Sequence, residues 1–210
     1  MIKSNFKEWT FDKIDDAFGM RQVFKSQALD EWMAFEYECS EYEKRYIFQL
    51  QKTLLLGGDD WNEVELENKF ISPLIVFTEV DNEKFSYFLE RELTATIGEY
   101  ELYGRVDGMI ATGFRNPRKP LFCLNEYKRQ TDPDGNPQAQ ALIAMIAAQH
   151  FNNSDQILFG SYIVGKLWHF MVMEGKNYSI SKSYNADDEE VLDIYRILKG
   201  LKYRIEQLTM

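Results

Sequence analysis

The chain has 210 residues, 45% of them hydrophobic and 15% aromatic, so it is long enough to bury a core and is expected to form one compact domain. Its formal net charge of −10 argues against broad electrostatic wrapping of nucleic acid. No apolar run reaches the length of a membrane span, and the first residues lack the apolar core of a secretory signal. Only two cysteines are present, so a disulfide framework is not expected. These features predict a cytoplasmic protein with no membrane partner.

Roughly the first 80 residues have the pattern of helices. A segment rich in aromatic and charged residues spans 27–56 and ends at two glycines, which is a helix-stop signal. A second helix is predicted to begin at Asp60, with Glu63 completing a capping box. It is expected to continue to about Phe77, although Pro73 could bend or end it.

The hydrophobic period changes from about residue 85. Three strands are predicted at 85–89, 101–106 and 121–124, with turn-forming residues between the last two. A helix then opens at Asn136-Pro137, with proline at its favoured first position, and further strands are predicted around 157–164, 167–173 and 178–183. A final helix is expected to begin near the acidic run at 187–190.

The final helix carries apolar residues that alternate three and four positions apart. They are Val191, Ile194, Leu198, Leu201, Ile205 and Leu208. This heptad-like seam favours packing on the helix's own domain, with a homodimer seam as the alternative. Together the elements predict an α/β fold with a central mixed β-sheet flanked by helices. The predicted divisions are a helical N-terminal extension at 1–58, a core at 59–183 and a long C-terminal helix at 184–210.

An acid and a base follow an apolar strand at Glu126 and Lys128, and alternation along a strand would project both to the same side. Glu-x-Lys alone is a weak signal, because the chain contains three, but only this one follows an apolar strand. Asp107 lies on the strand expected to pair with it. Two carboxylates on neighbouring strands can share a hard cation such as Mg²⁺, while Lys128 could stabilise developing negative charge or orient an attacking water. A cross-strand salt bridge among the three is the alternative.

Two further side chains fall on buried helical faces. Glu67 lies in the middle of an apolar stripe of the second helix and is a third candidate acid, with Glu63 as the alternative. Gln140 shares a stripe with small and apolar residues of the next helix and is predicted to face the sheet. Its amide, or that of Gln138, could orient a water or contact a phosphate, although one of the two is expected to be a plain helix-start glutamine.

The charge distribution is uneven. Residues 105–129 hold six basic and two acidic side chains, which gives a local charge of +4 against −14 for the remainder. An exposed basic loop and a local patch for an anionic substrate are both consistent with this window.

The order of these motifs resembles the PD-(D/E)xK nuclease superfamily: Gly104-x-x-Asp107, a hairpin, an apolar strand ending Glu126-x-Lys128, and a helix with an early Gln140. The branch it looks most like is the N-terminal nuclease domain of type I restriction motor subunits and related stand-alone bacterial proteins. The resemblance covers roughly residues 60–165 and implies a restriction-endonuclease-like fold. It implies Asp107 and Glu126 as metal ligands, Lys128 as a catalytic residue, and Glu67 as a third metal ligand. Gln140 as a catalytic residue is a weaker inference, because the tyrosine that follows it in some branches is missing.

The resulting hypothesis is a nuclease that uses Mg²⁺, or Mn²⁺ in its place, to hydrolyse phosphodiester bonds, with DNA as the favoured substrate. A separate motor or specificity partner would be needed for translocation, because the chain has no helicase motor. The alternative is a catalytically inactive interaction module that keeps the nuclease fold in a restriction or defence complex.

Overall fold

A computed structural model of the chain describes residues 1–128 and 136–208, and the side chains of 124–128 lie outside the description. Within those ranges, no helix combines the length and the apolar character that a membrane crossing requires.

Nine strands of the described residues form one sheet that contains both parallel and antiparallel pairs. They are β1 Ile2–Asn5, β2 Arg21–Gln22, β3 Phe85–Ile97, β4 Tyr100–Thr112, β5 Lys119–Lys128, β6 Leu158–Val164, β7 Leu167–Glu174, β8 Asn177–Ile180 and β9 Tyr184–Asn185. Neighbours follow the order β1-β4-β5-β6-β7-β8-β2, with β3 paired to β4 and β9 paired to β7. The predicted mixed central sheet is confirmed.

Helices cover both faces of this sheet. They are α1 Phe11–Phe18, α2 Gln27–Met33, α3 Glu41–Gly57, α4 Glu63–Leu66, α5 Ser72–Val76, α6 Pro137–Asn152 and α7 Glu190–Leu208, with a 3-10 turn at Phe6–Glu8 and a π-helical segment at Glu67–Ile71. Side chains alternate between two cores along the strands: Phe122 packs with α2, α3, α5 and α7, whereas Cys123 packs with α1 and α6. The predicted flanking helices and C-terminal helix are therefore confirmed.

The N-terminal part differs from the prediction of a purely helical extension, because it contributes β1 and β2 to the sheet. β1 pairs parallel with β4, and β2 pairs parallel with β8. Strands of four and two residues are too short for an alternating pattern to be recognised, and they are held by pairing with strands far away in sequence. The single helix predicted at 27–56 is two helices, α2 and α3. Ser40 ends the break by capping α3 with Glu43 in a capping box.

The second predicted helix starts later than expected. Asn62, not Asp60, is its N-cap: the Asn62 side chain accepts from the Glu65 backbone N–H, and the Glu65 carboxylate accepts from the Asn62 N–H. Glu63 therefore has no part in the capping box. Asp60 and Asn62 each have a glutamate three residues later, Glu63 and Glu65 respectively, and the structure uses the second pair.

The heptad-like seam of α7 is buried inside the chain. Five of its six residues are core residues and Leu208 packs against the same core. Packing on its own domain, the favoured interpretation, is confirmed, and these side chains are not exposed for a dimer seam. A homodimer through another surface stays a prediction.

A carboxylate joins α3 to α7 on this side of the sheet. The hydroxyls of Tyr37 and Tyr195 donate to Oε1 of Glu43 at 2.6 and 2.9 Å, and Nζ of Lys199 lies 3.6 Å from the same oxygen. Burial raises the pKa of Glu43, but hydrogen bonds from Tyr37, Ser40 and Tyr195 outweigh it and lower that pKa to about 2. The carboxylate therefore favours the folded state when it is ionised.

We expect Glu43→Gln to lower the free energy of unfolding by about 2 kcal/mol at pH 7, because it removes hydrogen bonds to a charged acceptor. Since the folded-state pKa lies below the ordinary value of 4.5, this contribution is present above pH 4.5 and lost as the pH falls toward 2. Urea denaturation across this range should show a flatter pH dependence for Glu43→Gln than for wild type. Glu41→Gln, at an exposed position of the same helix turn, is the control and should follow the wild-type curve. Parallel curves for wild type and Glu43→Gln would contradict this assignment.

Candidate active site

One edge of β4 is shared by two strands, and the site lies where they meet. β3 pairs with β4 along its other edge from Tyr100 to Thr112. On the shared edge, β1 takes residues 100–103 and β5 takes residues 108–112. Residues 104–107 fall between these two pairings. Within the described residues, this edge of β4 therefore has no neighbouring strand at the predicted metal ligand, Asp107.

A cavity of about 300 Å³ lies beside this opening. Its lining residues come from β1, the 3-10 turn, the helical segment at 63–76, β3, β4 and α6. They are Asn5, Phe6, Lys7, Glu63, Val64, Glu67, Glu90, Arg105, Asp107 and Gln140. Four of these side chains are acids and two are cations. The lining of the cavity is therefore acidic, although Arg105 and Asp107 belong to the segment 105–129, whose local charge is positive.

Glu67 enters the cavity from an irregular helix. It is the first residue of the π-helical segment, in which the backbone N–H of Ser72 donates to the carbonyl of Glu67, five residues earlier. Pro73 follows directly; it has no N–H and its ring would clash with the carbonyl of Lys69 in a regular α-helix. A wider turn before proline relieves that clash, so the helix continues through Pro73 and does not end there.

Glu67 buries an acidic side chain in the wall of the cavity. The residue is 6% exposed, and its Oε1 has no hydrogen-bond partner among the described residues. Burial, together with the nearby charge of Glu90, raises the pKa of Glu67. A buried acid of this kind is costly unless a cation binds to it, so its presence points to a ligand-binding role.

Glu90 is held in a strained backbone conformation on the facing strand. Its φ of 53° lies in the left-handed region, which is unusual for a non-glycine residue inside a strand. The regular pairs Leu89 with Gly108 and Arg91 with Val106 flank it, which puts Glu90 at the level of Asp107. Its Oε2 lies 3.1 Å from Nη1 of Arg105. Backbone strain of this kind is concentrated at functional sites, and here it lies on the wall of the cavity.

Gly104 permits close packing of the 3-10 turn against β4 beside the cavity. A Cβ at this position would lie 2.3 Å from Cδ2 of Phe6, so only glycine lets the 3-10 turn rest against β4. Phe6 is buried, and its neighbours Asn5 and Lys7 line the cavity. The glycine of the Gly-x-x-Asp motif thus has a packing role three residues before the acid.

The structure brings together three of the five predicted site residues. Glu67, Asp107 and Gln140 line the same cavity from three different elements. The prediction that Glu67 and Gln140 lie on buried faces is confirmed, since both are less than a tenth exposed. The predicted antiparallel pairing of β4 with β5 is also confirmed, with Gly108 opposite Leu124.

Glu126 and Lys128 are placed through their backbone only. Both lie on β5, and the parallel pairing of β5 with β6 shifts register between Asn125 and Tyr127, so Glu126 falls at an irregularity of the strand. Such irregularities are common beside active sites, where they re-aim a side chain. The side chains of Glu126 and Lys128 lie outside the described part of the chain, so their predicted roles stay predictions.

The described side chains do not by themselves complete a metal centre. No group of three or more histidine, cysteine, aspartate or glutamate residues is placed to hold a metal ion among the side chains the structure describes, a set that excludes Glu126. Glu67 and Asp107 supply oxygen donors of the type that Mg²⁺ prefers, while Arg105 and Lys7 could bind anionic oxygens at the same cavity. The chemistry that fits this set is binding of a phosphate ester beside a hard cation.

Several lining residues were not identified from the sequence. Asn5 and Lys7 were missed because the first residues were assigned to helices. The Asn5-x-x-Glu8 capping box of the 3-10 turn is a local signal that could have marked a chain reversal there. For Glu90 the sequence offers no signal, because glutamate has no preference for a positive φ.

Comparisons with known proteins leave the family of this chain open: no protein-family model matches it, and neither does any curated protein.

We expect Glu67→Gln to stabilise the protein in a chelating buffer by about 1 kcal/mol at pH 7, because it removes a buried charge without a partner. The raised folded-state pKa means that wild type loses stability as the pH rises above the ordinary value of 4.5. The gain should therefore shrink when denaturation is measured near pH 4. Glu63→Gln is the matched control: Glu63 is exposed and begins a helix, where a negative charge is favourable, so no gain is expected. A Glu67→Gln protein less stable than wild type at pH 7 would contradict an unpaired carboxylate.

Proposed function

We propose that this protein is a nuclease that uses Mg²⁺, with Mn²⁺ able to replace it, to hydrolyse phosphodiester bonds, with DNA as the favoured substrate. One observation carries the proposal. Glu67, Asp107 and Gln140 were singled out from separate parts of the sequence, and they line one cavity in which Oε1 of Glu67 is buried without a hydrogen-bond partner among the described residues. Convergence of such groups in one concave site is the pattern expected of a catalytic centre.

A restriction-endonuclease-like core is part of the same proposal. The order that supports it is the helix at 63–76, the strands β3, β4 and β5, then α6 and β6. β3, β4 and β5 are antiparallel neighbours, and α6 makes the crossover between the parallel strands β5 and β6. From this arrangement, the π-helical segment contributes Glu67 to the cavity, β4 contributes Asp107 and the start of α6 contributes Gln140.

The donor set of the cavity suits a hard divalent cation. Asp107 and Glu67, together with the predicted Glu126, would hold Mg²⁺, which prefers carboxylate oxygens and keeps several water ligands. When bound, the ion polarises the phosphodiester and lowers the pKa of a coordinated water. The buried oxygen of Glu67 without a hydrogen-bond partner is the feature of this structure that fits such an ion.

The other residues act directly on the substrate. Arg105 and Lys7 line the cavity, where their cations can bind the non-bridging oxygens of a phosphate. Lys128 is assigned the stabilisation of the negative charge that develops as the sugar oxygen leaves. Gln140, at the start of α6, is assigned the orientation of the attacking water through its side-chain amide.

Metal binding is the first test. Calorimetric titration of Mg²⁺ into metal-free wild type should give binding that Asp107→Asn, Glu67→Gln and Glu126→Gln each weaken at least tenfold. Glu83→Gln, at an exposed position before β3, should bind like wild type. Binding that is unchanged in Asp107→Asn and Glu126→Gln would remove this metal assignment.

Cleavage is the second test. Linear, circular and single-stranded DNA, with RNA as a further substrate, should be incubated with Mg²⁺ or Mn²⁺ beside Asp107→Ala and Lys128→Ala. Wild type should cut at least one DNA substrate, and each variant should be at least about 100-fold slower. Activity that survives both substitutions would overturn the site. A wild type that neither binds Mg²⁺ nor cuts any substrate would instead support the inactive interaction module.

A further inference from the structure

The turn between β4 and β5, together with the first residue of β5, carries a positive charge on an otherwise acidic chain; we call residues 113–119 the hairpin tip. Arg115, Arg118 and Lys119 lie in it, and the chain has no acidic residue from 108 to 125. Arg115 and Arg118 are exposed, and no ion pair within the described residues involves any of the three cations. On a chain of net charge −10, this positive projection is a place that attracts an anionic ligand.

An aromatic ring stands among these cations. Phe114 is 77% exposed, next to Arg115. A lone exposed aromatic residue costs little, but one in a short segment with three cations has the composition of a surface that stacks a base and binds the adjoining phosphates. A membrane-inserting loop would need several apolar side chains, and this tip presents a single one.

The tip is held in one shape. The backbone N–H of Arg118 donates to the carbonyl of Thr112 at 2.7 Å and closes the turn. Gly113 has a φ of 109°, and a Cβ there would lie 2.3 Å from the carbonyl oxygen of Asn116, so glycine is required. At the base, Nδ2 of Asn152 donates to the carbonyl of Pro120 at 2.6 Å and ties the hairpin to α6. A preformed tip loses little conformational entropy when a ligand binds.

We propose that the hairpin tip binds single-stranded nucleic acid, with an unpaired base stacked on Phe114 and flanking phosphates bound by Arg115 and Arg118. As an account of how substrate is held, this rests on the proposed nuclease function. Six residue steps of about 3.3 Å, roughly 20 Å in all, separate Asp107 from Gly113 at the start of the tip. The tip therefore contacts the strand several nucleotides away from the phosphate in the cavity.

Binding is measured by fluorescence anisotropy with a short labelled single-stranded DNA in EDTA, so that neither metal nor cleavage contributes. Phe114→Ala should weaken binding about tenfold, and Phe114→Trp should restore it, because stacking depends on an aromatic face. Arg115→Gln and Arg118→Gln should each reduce the slope of log affinity against log salt by about 0.7. A fully paired duplex should bind more weakly and respond less to Phe114→Ala.

Two variants serve as matched controls. Phe24→Ala removes a ring that is 93% exposed outside the tip, and Lys52→Gln removes an exposed cation of α3. Both should bind DNA like wild type. Equal losses in Phe24→Ala and Phe114→Ala, wild-type affinity in Phe114→Ala, or no DNA binding by wild type would each overturn the proposal. It would also be overturned if Phe114→Ala abolished binding to phosphatidylserine vesicles but left DNA binding intact.

The two functional proposals fail separately. If DNA binding depends on Phe114 but the protein has no nuclease activity, the proposed metal-dependent hydrolysis is rejected and the proposed binding of nucleic acid by the hairpin tip is retained. Cleavage that depends on Asp107 in a protein whose binding ignores Phe114 would do the reverse.

Discussion

A β-strand presents one row of hydrogen-bonding groups along each edge, and each row can satisfy only one neighbour at a given position. On β4 one row is divided between β1 and β5, and the four residues between them, ending at Asp107, are left for other contacts. The 3-10 turn after β1 packs against this segment through the close approach of Phe6 to Gly104. This division of one strand edge leaves Asp107 beside the cavity and lets the end of β1 and the 3-10 turn supply Asn5, Phe6 and Lys7 to its wall.

Unfavourable local features collect around the same opening. Glu67 buries a carboxylate in a π-helical turn, and Glu90 takes a positive φ inside a strand. Sequences that fold well avoid such conflicts, and natural proteins retain them mainly where function requires it. By contrast, the Glu43 carboxylate on α3 is satisfied by two tyrosine hydroxyls, as expected of a group with a structural role.

Helices and strands were predicted best where an apolar pattern repeats over many residues and the end of the element has a clear capping or turn signal. α6 and α7 were identified with bounds close to those observed, as were β6 and β7, since each repeats its apolar pattern over seven or more residues. The buried position of Glu67 followed from a helical wheel, even though the helix widens at that residue. The helical-wheel prediction remained correct because one π-helical turn shifts the helical register by a single residue.

Features that depend on distant partners were not predictable. β1 is a strand only because β4 accepts it, and nothing within four residues records that pairing. The positive φ of Glu90 occurs where the regular pairing of β3 with β4 is interrupted, between Leu89 and Arg91, and no local sequence signal marks it. The cavity wall supplied by Asn5 and Lys7 was missed for the same reason, whereas Asp107 and Gln140, which belong to a long strand and a long helix, were found.

The parallel pairing of β1 with β4 also sets an order of events during synthesis. Ile2 faces Tyr100, so the first strand has no partner until about 100 further residues have been made. At ~5–20 residues per second this amounts to about 5–20 s of translation, and pairing must wait longer still while β4 leaves the ribosome. β2 waits longer again for β8. β1 and β2 can thus be fixed only after their partner strands have been made, whereas α3 and the π-helical segment Glu67–Ile71, which pack on each other, are both available before β4.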